Sequence, residues 1–311
     1  MKKKIMAAIL TAAMAAALAA CGSTDADTSD ADSANVAEES AEDTTGDESE
    51  EESAEITFES LTAVDNDYCS IVITGINEGG LLTDLSLSAE FENKTSDVTY
   101  MFSVESAYIN GVDADPYFAD TVAAGKSAVE TISFDTDELT DAGMESVTDI
   151  QLTFIVYNDD DWTEDYVAEE TVHVYPYGEE AAENFVRETL DTDTVLADDD
   201  NISVVVTGYE VDDIWGYCIN VYLVNKSDTE VMYSVDEASV NGYMADPYWA
   251  KSVKAGKSAF STIYFDESTL EEIGITDMET EIETIEFELT AYDDEDWSED
   301  PMLEEVITLT P

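Results

Sequence analysis

The sequence predicts an all-β protein made of two tandem two-sheet sandwiches, each carrying a short helical crossover turn. Three observations predict it. Apolar and polar residues alternate with a period of two, as in strands with one face on a core and one in water. The same run of motifs occurs twice at a nearly constant offset. Asn-Gly and Gly-Lys steps mark turns between the alternating runs.

The repeat sets the domain boundaries. Ala114-Asp115-Pro116-Tyr117-Phe118-Ala119 returns as Ala245-Asp246-Pro247-Tyr248-Trp249-Ala250, and Ala124-Gly125-Lys126-Ser127-Ala128 returns as Ala255-Gly256-Lys257-Ser258-Ala259. Asn93-Lys94 matches Asn225-Lys226, Asn110-Gly111 matches Asn241-Gly242, and Thr74-Gly75 matches Thr207-Gly208. The copies span 56–176 and 192–311, an ordinary single-domain size.

Taken in chain order, the first predicted strand turns Cys69, Ile71 and Ile73 inward, against Ile202, Val204 and Val206 in the second copy. The next places Leu85, Leu87, Ala89 and Phe91 against Tyr217, Ile219, Val221 and Leu223. Residues 136–143 and 267–274 read as helical turns ending at a glycine cap. Leu152, Phe154 and Val156 then match Phe287, Leu289 and Ala291, and Val172 and Val174 match Ile307 and Leu309. Seven or so short strands per copy point to a sandwich. Between the copies, residues 177–191 read as a spacer with a short helix over 179–190. Its stripe of Ala182, Phe185, Val186 and Leu190 packs on one neighbour or, alternatively, meets a partner.

These residues carry a resemblance. Asn-Lys-Ser/Thr, Ser239 to Met244, Asp246 to Ala250, Val253 to Ser258 and Tyr292 to Trp297 resemble the telokin-like, immunoglobulin-fold domains of lipoproteins from clostridia-type Gram-positive bacteria. The resemblance covers both copies, is closer in the second, and implies an immunoglobulin-like sandwich with no catalytic or ligand residues. The first copy departs from it at Ile109 and Val112-Asp113, around its Asn-Gly step.

The N-terminus predicts an address. Lys2, Lys3 and Lys4 precede an acid-free apolar run to Ala20, the pattern of a signal peptide over 1–20. The run is too short and alanine-rich for a membrane span. It closes on Leu18-Ala19-Ala20-Cys21-Gly22, which resembles a bacterial lipobox, so Cys21 is the predicted diacylglycerol (palmitate-type) lipidation site. The anchor would hold the chain on the extracellular face of the cell membrane, each buried methylene contributing about 0.8 kcal/mol. Residues 21–55 follow as a disordered acidic tether of Ser, Thr, Ala, Asp and Glu.

Charge narrows the partners. With 75 acids against 10 Lys/Arg the formal net charge is −65, and losing the three N-terminal lysines takes it to −68. Nucleic acid is excluded, because it needs a basic footprint. The expected partners are the membrane, through the anchor, and an envelope protein or glycan, with the chain itself a monomer.

Candidate chemistry is sparse. Gly125-Lys126-Ser127 and Gly256-Lys257-Ser258 lack the upstream glycine of a phosphate loop, having Asp120 and Lys251 there, so they read as turns and no nucleotide is expected. His173 is the only histidine and faces Thr308 in the repeat, which argues against a nucleophile and base pair and against an enzyme. Asp159, Asp160 and Asp161, echoed by Asp294, Glu295 and Asp296, offer oxygens for weak calcium binding but lack the EF-hand glycine; the alternative is a solvated loop. No other cofactor is expected.

Tyr117, Phe118, Tyr248 and Trp249 follow Asp-Pro steps and either contact a ligand or cover the end of a core. Trp162 and Trp297 are expected to anchor the acidic loops by burial. Cys69 is expected to be a small buried hydrophobe and Cys218 to lie on the opposite face, without a disulfide. The sequence therefore supports a non-catalytic surface binding or adhesion module. The alternatives are a structural or stress-responsive envelope spacer without a ligand, or a weak calcium-binding pair.

Overall fold

The computed structural model describes residues 56–77, 85–114, 116–294, 296 and 300–311. The predicted signal, Cys21, the tether, Glu295 and Trp297 lie outside them. Ser53–Pro311 forms one compact unit that contains both copies, and it is almost entirely β.

The first copy runs β1 Leu61–Asp65, β2 Cys69–Asn77, β3 Ser86–Asn93, β4 Tyr100–Ile109, β5 Val112–Asp113, β6 Pro116–Tyr117, β7 Ala119–Val122, β8 Ser127–Phe134, α1 Asp137–Asp141, β9 Ile150–Asn158 and β10 Ala168–Val174. The second runs β11 Thr194–Asp198, β12 Ile202–Asp212, β13 Gly216–Asn225, β14 Val231–Val240, β15 Tyr243–Met244, β16 Trp249–Val253, β17 Ser258–Phe265, α2 Glu267–Glu272, β18 Ile285–Asp293 and β19 Leu303–Leu309. One five-stranded sheet, β1-β2-β3-β8-β6, belongs to the first copy. Another, β15-β14-β18-β19 with β16 on β14, belongs to the second. Between them a nine-stranded sheet, β10-β9-β4-β5-β17-β13-β12-β11 with β7 on β4, is shared by both. The junction is β5 against β17, where Val112 pairs with Ser258.

Each core lies between a private sheet and one half of the shared sheet, and the period-two reading holds at the predicted inward positions. Ile71, Ile73, Leu87, Ala89, Leu152, Phe154 and Val156 are fully buried in the first core. Val204, Val206, Ile219, Val221, Phe287, Leu289 and Ala291 are their counterparts in the second. The helical turns form where Thr136 to Gly143 and Glu267 to Gly274 predict them, and Gly143 and Gly274 adopt the left-handed backbone of a cap at φ 89° and 94°.

The recurring polar motifs have structural causes. Asn93 is buried, and its Nδ2 donates to the carbonyls of Val98 and Val122 at 2.8 Å each, while Oδ1 accepts from the Thr95 backbone and hydroxyl. Asn225 repeats this with Thr229, Val253 and Ser227. Lys94 and Lys226 each bridge to the turn that leads into β2 or β12, through Asp65 and Asn66 O or Asp198 and Asp199 O. At the Asn-Gly steps, Asn110 and Gly111 (φ 48° and 83°) match Asn241 and Gly242 (φ 51° and 81°), so the hairpin keeps one shape although its flanking residues differ. Thr74-Gly75 and Thr207-Gly208 mark bulges, since the register of the paired strands slips between Ile73 and Gly75 and between Val206 and Gly208.

Two expectations are corrected, the linker helix and Trp162. Residues 179–190 form no α-helix: one 3-10 turn, Glu179–Ala181, is followed by irregular chain. The backbone donors are spent on the first copy instead, Glu183 N on Thr148 Oγ1 (3.0 Å) and Phe185 N on Asn110 O (2.8 Å). So short an amphipathic stretch does not hold a helix against such partners. Phe185 packs on the first core, but Val186 and Leu190 stay exposed. Trp162 does not anchor its loop; the residue is 78% exposed. Cys218 faces away from the second core yet is buried, because that face of β13 is covered too. Both Cys69 and Cys218 are free thiols, and burial pushes the Cys69 thiol up to about 11.

Candidate binding surface

The sequence-predicted residues part company. Trp249 turns into the second core, and its Nε1 donates to Ser261 Oγ at 3.0 Å. Tyr248, one residue earlier, is 97% exposed with its backbone in the left-handed region at φ 46°. A non-glycine residue held there is strained, and this one gains no burial in return. Phe118, the counterpart of Trp249, is half-buried and stacks on Phe91 with centroids 4.6 Å apart. Tyr117 pairs through its backbone with Ser133 in the β6–β8 ladder.

The acidic loops close on themselves. Asp161 accepts from the Thr163 backbone and hydroxyl at 3.1 and 2.6 Å, which holds its carboxyl below the usual range. Asn158 donates to Glu164 at 3.0 Å and accepts from Asp160 N, and Asp159 N is tied to Thr99 O. In the second copy Asp294 accepts from Ser252 Oγ at 2.8 Å and Asp296 is exposed. Among the described residues no three His, Cys, Asp or Glu side chains converge on a point where a cation would sit.

The seam between the copies went unread in the sequence. Ser258 N donates to Gly111 O at 3.0 Å, Lys251 Nζ lies 2.6 Å from Asp113 Oδ2, and Lys254 Nζ donates to Ser106 Oγ at 3.1 Å. Lys257 Nζ sits 5.1 Å from the centre of the Tyr108 ring, and burial lowers its pKa. Phe260 packs on the edge of the first core and against Tyr222, 4.7 Å between centroids, whose hydroxyl donates to Ser258 Oγ. A half-buried ion pair is worth about 1 kcal/mol or less, and burying an aromatic ring about 1.5–3 kcal/mol. Phe260 is half-buried and gains part of that, so the ring and the three lysines share the adhesion, and the lysines also set the register. The signal was present as divergence within the repeat: Lys251, Lys254 and Phe260 stand where the first copy has Asp120, Ala123 and Val129. A partly open cleft of about 390 Å³ remains beside the seam, lined by Glu105, Ser106, Asp113, Glu230, Lys251 and Lys254.

The linker is pinned nearby. Arg187 forms a two-pronged ion pair with Asp193 at 2.7 and 2.9 Å. Asp193, whose side chain is 1% exposed, also accepts from Leu190 N at 2.8 Å. The hydrogen bonds from Arg187 hold the Asp193 carboxyl below the ordinary carboxylate range.

Register and connection order place the same surface at the free end of the second copy. β13 and β14 are joined at one end, so the β12–β13 turn and the Asn241-Gly242 hairpin share the other. That end is equivalent to the end of the first copy that docks on β17, but among the described residues nothing pairs with its outer edge. Val112 and Asp113 of β5 are replaced by Tyr243 and Met244 of β15, 60% and 66% exposed. β15 pairs with β14 and lies at the edge of its sheet.

No family model and no curated protein matches the chain. Solved structures similar to it include red sea bream transglutaminase, 11% identical with a TM-score of 0.23, covering 79% of this chain and 31% of that one. This chain thus spans about a third of the transglutaminase. Another is the chaperone–tip adhesion subunit pre-assembly complex, CsuC–CsuE, from the archaic chaperone-usher Csu pili of Acinetobacter baumannii. It is 11% identical with a TM-score of 0.21, covering 72% of this chain and 90% of that one. Likeness at this level says nothing about what the chain does.

Proposed function

We propose that the protein is a non-catalytic, lipid-anchored surface module that engages an envelope protein or glycan through the free end of its second copy. Tyr248 carries the reading. A tyrosine held at φ 46° with 97% of its surface in water contributes nothing to its own core, and exposed aromatics, such as this one just before β16, are what interfaces use as anchors. The shared sheet supports the reading by holding the two copies in one orientation, so the contact surface is presented at a fixed angle. Cys21 would supply the anchor and residues 21–55 the reach.

Retention of envelope fractions and arrayed glycans by the immobilised full chain tests this. The wild type is expected to hold a partner at least about tenfold more strongly than Tyr248→Ala, the loss usual for an aromatic hot spot. Absence of any retained partner would leave the spacer reading in its place.

A further inference from the structure

We infer that the free β15 edge receives a lysine-bearing turn and strand start of a partner protein, as β5 and its hairpin receive Ser258 and the three lysines around it in this chain. The inference rests on the surface-binding reading above and names the partner's chemistry. The chain contains its own template for this contact. The Asn110-Gly111 hairpin presents Gly111 O to the backbone of Ser258, and three lysines and Phe260 close around it. The Asn241-Gly242 hairpin has the same backbone, with φ values within a few degrees of its counterpart.

What differs is the side-chain frame, and the difference selects the occupant. Asp113 and Tyr108 give way to Met244 and Ser239, and Ser106 to Glu237, so the edge is more apolar and its rim more acidic. Tyr243 and Met244 offer apolar surface, while Asp236, Glu237, Asp246 and Glu286 are exposed around them. An extended segment pairing along such an edge gains backbone hydrogen bonds, and its cations meet the acidic rim.

A second copy of this chain fits less well. The segment it would bring has Asp120 and Ala123 in place of Lys251 and Lys254, and Val129 in place of Phe260. It would set Asp120 against Met244 and leave Glu237 without a cation, between chains of net charge −65. A basic strand from another protein brings a cation to Glu237 and carries no opposing net negative charge.

The probe is a fluorescent peptide with the sequence of residues 251–265, titrated by anisotropy into the full chain at low ionic strength. Saturable binding is expected, weakened at least about tenfold in a Tyr243→Asp/Met244→Asp variant and absent when the three peptide lysines are glutamate. Both substituted side chains are exposed, so unchanged thermal unfolding will certify the variant. No saturable binding, or equal binding by variant and wild type, overturns the inference. So does a concentration-dependent dimer, seen by light scattering, that the variant loses, because it assigns the edge to a second copy. Partner retention that survives the double substitution but not Tyr248→Ala overturns this inference and leaves the binding reading standing. Retention of nothing by the wild type removes the binding reading, whatever the peptide does.

Discussion

The outer faces of two equivalent strand pairs, β3–β8 in the first copy and β13–β17 in the second, are built on the same backbone and treated differently. The first presents Glu90 and Val129 to solvent; the second has Tyr222 and Phe260 at the same places, buried or half-buried at the seam. Inward positions keep their apolar character in both, because each sandwich needs its own core. Outward positions record what lies beyond the sheet. Within a repeat, outward divergence therefore marks an interface more reliably than any single motif.

The comparison can be broken most forcefully at the linker. Arg187→Ala removes a two-pronged, charge-assisted hydrogen bond from the Asp193 carboxylate, a loss of about 2–3 kcal/mol. Tryptophan fluorescence should report it in the second copy, through the buried ring of Trp249, while Trp162 in the first copy is already exposed. The wild-type pair also has a pH signature. The Asp193 pKa is lower folded than unfolded, so its stabilisation is complete above the ordinary carboxylate range and fades as pH falls through the folded value. Thermal melts of the wild type between neutral and acidic pH should lose this contribution, and those of Arg187→Ala should lack it throughout.

A sharper test uses the buried asparagines. Asn93→Ala and Asn225→Ala each remove four hydrogen bonds; the Val98 and Thr229 carbonyls keep a hydroxyl donor from Thr95 or Ser227, while those of Val122 and Val253 lose their amide donor, at about 1–2 kcal/mol. Equal costs by chemical denaturation are expected from equal geometry. A difference beyond about 1 kcal/mol would show that the copies are not energetically equivalent. The smallest effect belongs to Tyr248→Gly. Relief of the left-handed backbone gains about 1 kcal/mol, and the added chain entropy of glycine takes back about 0.5–1 kcal/mol. The melting temperature should scarcely move.

Much of the fold was legible in the sequence because alternation and turn chemistry are local. Cys69, Ile71 and Ile73, the Asn-Gly hairpins and the glycine caps all formed where the pattern placed them. Residues 179–190 were misread because helical spacing takes no account of tertiary acceptors, and Asn110 O and Thr148 Oγ1 outcompete a short helix. Trp162 was misread because carboxylates satisfied within their own loop, as Asp161 is by Thr163, leave no apolar recess for a ring. The candidate site was half legible. Tyr248 was singled out, yet its neighbour Trp249 faces the opposite way, and the φ that separates them has no signature in the residue names. The seam needs two copies in contact, which no single-strand pattern records.

The backbone bond from Thr57 N to Pro176 O, 2.8 Å long, fastens the entry of the first copy to its exit. A pull between residue 56 and the linker would load that bond before the strands behind it. While it holds, the first sandwich lies beside the line of pull.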